Sequence, residues 1–211
     1  MVNGLKNLRI NKNKFIYLIS PTKINRFFYQ DLTNVLKQKK VGFFQLRLKK
    51  ERLKKKLIIG KKIKEICKKF KVKFLINDDV LVAKILDADG CHLGQKDMDI
   101  TKAKKLLGDK IIGVTCHNSL KLVKAAKKNK ADYIALGAFH RSNTKKVKFK
   151  APTSLIRKVK KITKTPIVAI GGINSDNYKK LLLNKANFLA ISGYIWNNKK
   201  LKPLETVEKL K

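Results

Sequence analysis

Eight short apolar runs recur along this chain at intervals of about 20 to 30 residues, and that spacing leaves few folds open. They are Phe15–Ile19, Val41–Leu46, Lys73–Ile76, Gly90–Leu93, Ile111–Val114, Tyr133–Leu136, Pro166–Ile170 and Phe188–Ile191. Each run is continuously apolar rather than alternating, which is what parallel strands covered on both faces require. Between them, Lys-rich segments such as Leu53–Phe70, Ser119–Asn129 and Asp176–Leu183 carry apolar residues at helical spacing. One corner is used three times: Ala88-Asp89-Gly90, Ala131-Asp132-Tyr133 and Ala186-Asn187-Phe188 each close a helix and enter a strand. Eight repeated βα units in a chain of 211 residues predict a closed (β/α)8 barrel, an α/β TIM barrel of one domain over 1–211. Residues 1–13 read as an N-terminal extension and 138–151 as an active-site loop. A doubly wound open sheet is the other fold of this pattern, but its GxGxxG dinucleotide turn is missing.

The remaining composition narrows the setting. At 44% hydrophobic the chain can bury one core, yet no apolar run is long enough to span a bilayer. The three cysteines (Cys67, Cys91, Cys116) lack CxxC or zinc spacing, and the polar N-terminus does not resemble a signal peptide. A cytoplasmic enzyme with reduced, buried thiols is expected. The net charge of +38 could announce a nucleic-acid binder, but only six of the 52 basic residues are arginine. The lysines lie on nearly every polar segment instead of forming a stripe, so they read as solvated helix faces that draw in anionic substrates. The expected partners are small molecules, without membrane or specific nucleic acid; homo-oligomerisation is left open. Acids are scarce, and six of the 14 fall at positions 78, 79, 87, 89, 97 and 99. Asp87, Asp89 and Asp99 read as solvated or capping carboxylates, and Asp79 as the cap of a short helix over 80–86.

In such a barrel the active site lies where the strands end at their C-terminal tips. At the second tip, Gln45, Arg47 and Lys49 share one side by alternation, an amide and two cations aimed at one anion. The third tip continues into Asn77-Asp78-Asp79 and the fourth into His92-Leu93-Gly94-Gln95-Lys96-Asp97. These tips are neighbours, so Asp78 and Asp97 can converge on Mg²⁺, whose shell is usually completed by water and substrate phosphate. His92 reads as a satisfied structural histidine. The fifth tip carries Thr115-Cys116-His117, and the sixth a long acid-free loop holding Ser142, Asn143, Thr144 and Lys145. Gly171-Gly172 and Ser192-Gly193, with Ser175 and Asp176 opening a helix, have the make-up of the barrel phosphate site after strands seven and eight.

Together these motifs resemble the thiamine-phosphate synthase family over nearly the whole chain. Gln45-Leu-Arg-Leu-Lys49 is similar to its QxRxK strand, Leu75-Ile-Asn-Asp-Asp-Val80 to its INDDV segment, and Asp89-Gly-Cys-His-Leu-Gly-Gln-Lys-Asp97 to its DGxHLGQxD. Ile112-Gly-Val-Thr-Cys-His117 follows its IGVSxH and Val168-Ala-Ile-Gly-Gly-Ile173 its AIGGI. The family couples 4-amino-2-methyl-5-(diphosphooxymethyl)pyrimidine to a thiazole phosphate and releases pyrophosphate. The resemblance implies that Gln45, Arg47, Lys49 and Asn77 hold the pyrimidine diphosphate, Asp78 and Asp97 the Mg²⁺, and that Thr115 replaces the family serine. It further implies that Lys145 contacts the leaving group, that Ser142, Asn143 and Thr144 lie in the thiazole-substrate loop, and that Gly172, Ile191 and Ser192 grip its phosphate. Arg47, Lys49 and Lys145 would be the catalytic cations. The family loop GPxFPTxTK reads Gly137-Ala-Phe-His-Arg-Ser-Asn-Thr-Lys145 here, without its two prolines.

Electrostatic assistance to a departing diphosphate needs no side-chain nucleophile, in keeping with a sequence that offers no convincing triad. Two other readings are weighed against it. A thiazole tautomerase-like barrel would use His117 as acid and base but would need neither Asp78 and Asp97 nor the Gln45-Arg47-Lys49 set. A non-catalytic basic barrel would bind polyanions and tolerate the loss of Asp78.

Overall fold

The structure, a computed structural model, describes residues 13–141 and 150–211. Eight parallel strands close on one another in sequence order, β1 pairing with both β2 and β8. They are β1 (Ile16–Ile19), β2 (Val41–Leu46), β3 (Lys73–Asn77), β4 (Gly90–Leu93), β5 (Ile111–His117), β6 (Tyr133–Gly137), β7 (Ile167–Ile170) and β8 (Phe188–Ile191). The main crossover helices are α1 (Phe28–Lys37), α2 (Leu53–Lys69), α3 (Val80–Ile85), α4 (Ile100–Leu107), α5 (Leu120–Lys128), α6 (Ser154–Ile162) and α7 (Tyr178–Leu183). Two short helices follow β8: α8 (Gly193–Trp196) and α9 (Pro203–Glu208). The eight expected runs are the eight strands. The expected extension at 1–13 falls almost wholly outside the described residues.

Strand alternation divides the core in two. Outward residues pack with the helices in one large layer, while Tyr17, Phe43, Leu75, Ile111, Tyr133, Val168 and Phe188 fill the barrel interior. Tyr133 fits there because its cross-strand partner is Gly113, where a Cβ would sit 1.8 Å from the tyrosine Cζ.

The repeated corner has a shared construction at the N-terminal face. The side chains of Asp89, Asp132 and Asn187 accept the backbone N–H groups of Phe74, Ile112 and Ile167, within the first two residues of β3, β5 and β7, at 2.9, 2.8 and 2.9 Å. Each returns its own backbone N–H to the same residue, Phe74, Ile112 or Ile167. Lys73, Lys104 and Lys160 approach the same three side chains. Asp89 is thus a strand-pairing residue and not only a solvated one, whereas Asp79 and Asp99 cap α3 and α4 as expected.

Before three of these corners, and before β3, a helix ends with a non-glycine residue in the left-handed conformation: Lys71, Asp87, Lys130 and Lys185 have φ of 54°, 45°, 55° and 72°. The next N–H closes each end on the carbonyl five residues back, for example Val72 on Cys67 and Ala131 on Ala126. This position favours glycine because a Cβ crowds the backbone there. Lys71→Gly, Lys130→Gly and Lys185→Gly are therefore expected to stabilise the fold by about 0.5 kcal/mol each, after the larger chain entropy of glycine is subtracted. Combined, they should raise Tm by a few degrees in a thermal melt; a fall would contradict the strain argument.

Candidate active site

The C-terminal rim gathers what the strand tips carry. Lys49 Nζ, beyond β2, lies 2.7 Å from Asp78 Oδ2. Asp78 follows β3 at φ 65°, a left-handed turn that aspartate tolerates better than most residues. Its N–H donates to the His92 carbonyl at 2.8 Å, tying the β3 tip to β4. The Asp97 side chain comes across from beyond β4 and shares a hydrogen bond with the Asp78 carboxyl. Gly94 N–H donates to Asp97 Oδ2 at 2.6 Å and aims it. The two carboxylates, 19 positions apart in sequence, therefore meet beside Lys49 as the neighbouring tips predict. A cavity of about 470 Å³ opens at this point, lined by Lys49, Asn77, Asp78 and Met98 among others.

Their environments shift the two carboxyls in opposite directions. Burial pushes the Asp78 carboxyl up, but hydrogen bonds from Lys49, Asp97 and Asn77 and the Lys49 charge outweigh it and hold Asp78 below its ordinary value. At Asp97 burial and the facing Asp78 act together, and the pKa rises. Two carboxylates thus crowd one point, and Asp97 is the one whose charged form is disfavoured. A hard divalent cation placed between them would relieve that repulsion. Among the described residues no three His, Cys, Asp or Glu converge, so such an ion would have two protein oxygens and take its other ligands from water and substrate. That donor set fits Mg²⁺.

Beneath the rim runs a line of buried polar groups. Gln45 points into the barrel and its Nε2 donates to Tyr17 Oη at 2.9 Å. Tyr17 Oη meets Tyr133 Oη at 2.7 Å, and Tyr133 Oη meets His92 Nδ1 at 2.8 Å. His92 Nε2 then meets Thr115 Oγ1 at 2.8 Å. Burial lowers the His92 pKa to about 4 and pushes both tyrosines up, so the whole line is neutral. His92 is the satisfied buried histidine expected. Tyr17 and Tyr133 were not foreseen as part of the site; the available signal was a hydroxyl at an inward position of two otherwise apolar runs.

Other expected residues are placed differently. Thr115 and His117 lie within β5, not after it, because β5 starts at Ile111 as expected but runs three residues past Val114 and bulges between Thr115 and His117 against β6. The bulge turns His117 to φ 51° at the rim. Arg47 is half-buried and its backbone N–H donates to Ser20 Oγ at 2.9 Å. The Ile191 side chain belongs to the outer layer between barrel and helices, so only its backbone is available to a ligand. Ser192 Oγ donates to the Ser20 carbonyl. Gly171 and Gly172 have φ of 106° and 58°, and a Cβ on Gly172 would meet the Arg141 carbonyl at 1.9 Å. These glycines thus also let the start of the β6 loop lie on β7. The helix expected from Ser175 and Asp176 begins only at Tyr178, since Asn174 Oδ1 takes the N–H groups of Asp176 and Asn177 in a turn of its own. Ser142, Asn143, Thr144 and Lys145 lie outside the described residues.

Residues 16–195 match the family Thiamine monophosphate synthase. The chain belongs to that family. A thiamine-phosphate synthase of Pelagibacter ubique (strain HTCC1062) is 67% identical over 208 residues, covering 98% of this chain and all of the relative. One of Erythrobacter litoralis (strain HTCC2594) is 40% identical, covering 86% of this chain and 88% of its own. Among solved structures, the thiamine phosphate pyrophosphorylase of Pyrococcus furiosus superposes with a TM-score of 0.81 at 28% identity, covering 94% of this chain and 95% of that one. In this chain the strand tips are those of a closed barrel, and the described helices include none long and apolar enough to cross a membrane. The three cysteines are buried and free, their thiols pushed up by burial, that of Cys116 to about 12.

Proposed function

We propose that this chain, a transferase of the thiamine-phosphate diphosphorylase type, joins 4-amino-2-methyl-5-(diphosphooxymethyl)pyrimidine to thiazole phosphate with the help of Mg²⁺. The observation that carries the reading is the Asp78–Asp97 carboxyl pair with Lys49 on Asp78 at the rim. Asp78 and Asp97 would hold the ion, which when bound supplies positive charge to the diphosphate oxygens. Lys49 and Arg47 add cationic charge on the same oxygens, with Lys145 from the β6 loop assigned the same task. Asn77 steadies Asp78 by a hydrogen bond, and Gln45 and Thr115 offer polar groups to the pyrimidine diphosphate from inside the barrel.

The carbon–oxygen bond to diphosphate breaks because the aminopyrimidine stabilises the cation left on its methylene and the rim stabilises the anion that departs. The thiazole nitrogen then attacks that cation and pyrophosphate leaves. Gly172, Ser192 and the backbone at Ile191 would receive the thiazole phosphate, with Ser142, Asn143 and Thr144 assigned to the same substrate. A barrel of this kind requires no protein base. The working setting is the cytoplasm.

The test is pyrophosphate release with both substrates, with and without Mg²⁺. Release that needs both substrates and the metal supports the reading. Metal-independent isomerisation of the thiazole phosphate, abolished by His117→Gln, would replace it with the tautomerase reading. Lys49→Ala and Arg47→Ala should each weaken binding of the pyrimidine diphosphate by about tenfold, the worth of a charge-assisted hydrogen bond. Unchanged pyrophosphate affinity after both substitutions would contradict the cationic role.

A further inference from the structure

We infer that the buried line Gln45–Tyr17–Tyr133–His92–Thr115 is a one-way hydrogen-bond relay that fixes the Thr115 hydroxyl as a donor toward the site. The inference rests on the proposed reading only in naming the acceptor, a diphosphate oxygen; the direction follows from geometry alone. Tyr17, Tyr133 and His92 act through Thr115 and are positioning residues.

Direction is set at Gln45. Its amide nitrogen donates to Tyr17 Oη and cannot accept in return. Tyr17 is 1% exposed, and its hydroxyl has one other partner, Tyr133 Oη. A buried hydroxyl proton left without an acceptor is costly, so Tyr17 donates to Tyr133. Tyr133, equally buried, then has a single place for its own proton, His92 Nδ1. That nitrogen must be unprotonated, since an N–H there would meet the tyrosine proton head-on. The imidazole therefore carries its proton on Nε2 and gives it to Thr115 Oγ1. With its oxygen accepting from below, Thr115 has its proton free for the rim. If the line ran the other way, Thr115 would donate to His92 and present only lone pairs to an anion. A phosphate oxygen can only accept, so the inferred direction suits it and the reverse repels it. The relay also keeps imidazolium out, because a doubly protonated ring has no acceptor for Tyr133.

The test begins with long-range ¹H–¹⁵N NMR of the histidine-labelled protein, which has three histidines, assigned with His117→Gln and His140→Gln. His92 is expected as the Nε2–H tautomer near neutral pH. An Nδ1–H tautomer or an imidazolium would overturn the relay. Tyr133→Phe keeps the ring and removes the donor, so His92 should become a mixture of tautomers. Affinity for inorganic pyrophosphate, measured by calorimetry with Mg²⁺, should then fall about tenfold, the weight of one hydrogen bond to a charged oxygen. In that background Thr115→Val should cost less than about threefold more, although alone it costs about tenfold, because coupled residues are not additive. Equal losses in both backgrounds would mean that Tyr133 does not act through Thr115 and would overturn the inference. Should Tyr133→Phe not fold, Tyr17→Phe interrupts the same line one link earlier and is held to the same outcomes. Failure of the wild type to release pyrophosphate would sink the proposed reaction while leaving the tautomer result to decide the relay.

Discussion

Asp97→Asn is expected to lower pyrophosphate release about a thousandfold, the upper range for removing one preorganised charge from a transition state. It should do so while leaving the barrel intact. Asp97 lies at the rim, makes its backbone-directed bond to Gly94 and faces Asp78, so no core contact depends on its charge. The sign of the stability effect separates a metal ligand from a structural acid. Without metal, the Asp97 pKa is raised by burial and then by Asp78. A carboxyl raised in the fold contributes its stability below the unfolded pKa and loses it as pH rises through the folded value. At neutral pH it is therefore a burden, and Asp97→Asn should leave the metal-free Tm unchanged or higher. Asp78 has the opposite sign: held low despite burial, chiefly by Lys49, it stabilises above the unfolded pKa and loses that contribution under acid. Asp78→Asn should thus cost activity to a similar degree and some metal-free stability as well. Mg²⁺ should raise the Tm of the wild type and of neither variant. Full activity in either variant, or equal Mg²⁺ stabilisation of all three proteins, would remove the metal assignment.

That pair was legible in the sequence for a simple reason. In a barrel of consecutive βα units the tips of strands three and four are neighbours, so Asp78 and Asp97 had to come close once the eight runs were recognised. Lys49 followed by the same logic from strand two. The relay was not legible, because its links depend on which residues sit at one height inside a closed barrel. Tyr17 and Tyr133 are 116 positions apart, and only the stagger of β1 and β6 brings their hydroxyls to 2.7 Å. Local chemistry hid the rest. The β5 bulge needs φ 51° at His117, a residue with no strong preference for it. The late start of α7 comes from the Asn174 side chain taking two N–H groups that a helix would otherwise have organised. Schellman ends built on lysine instead of glycine gave the helices no visible stop. The corner residues Asp89, Asp132 and Asn187 were visible as a repeat, but their reciprocal bonding to the odd strands appears only when the sheet closes.

Gly113→Ala should be strongly damaging, because its methyl must enter a filled barrel interior. Gly113 faces inward from β5 directly opposite Tyr133 on β6. An added Cβ would lie 1.8 Å from Tyr133 Cζ and 2.2 Å from Cε1, far inside contact distance. The ring cannot swing away cheaply, since Tyr17, Phe43 and His92 pack around it at centroid separations of 5.6, 6.1 and 5.6 Å. Overpacking of this kind costs about 1–3 kcal/mol, and displacing the ring adds the loss of two buried hydrogen bonds, so about 4 kcal/mol is expected in all. For a chain of this length that corresponds to a fall in Tm of about 10 °C. Pairing the change with Tyr133→Leu, which vacates the space the methyl needs, should recover part of the lost stability. It should not recover pyrophosphate affinity, because leucine brings no hydroxyl to His92. A double variant that regained both would show that position 133 supplies volume alone, and a Gly113→Ala protein with an unchanged melting point would mean that the ring does not lie over residue 113.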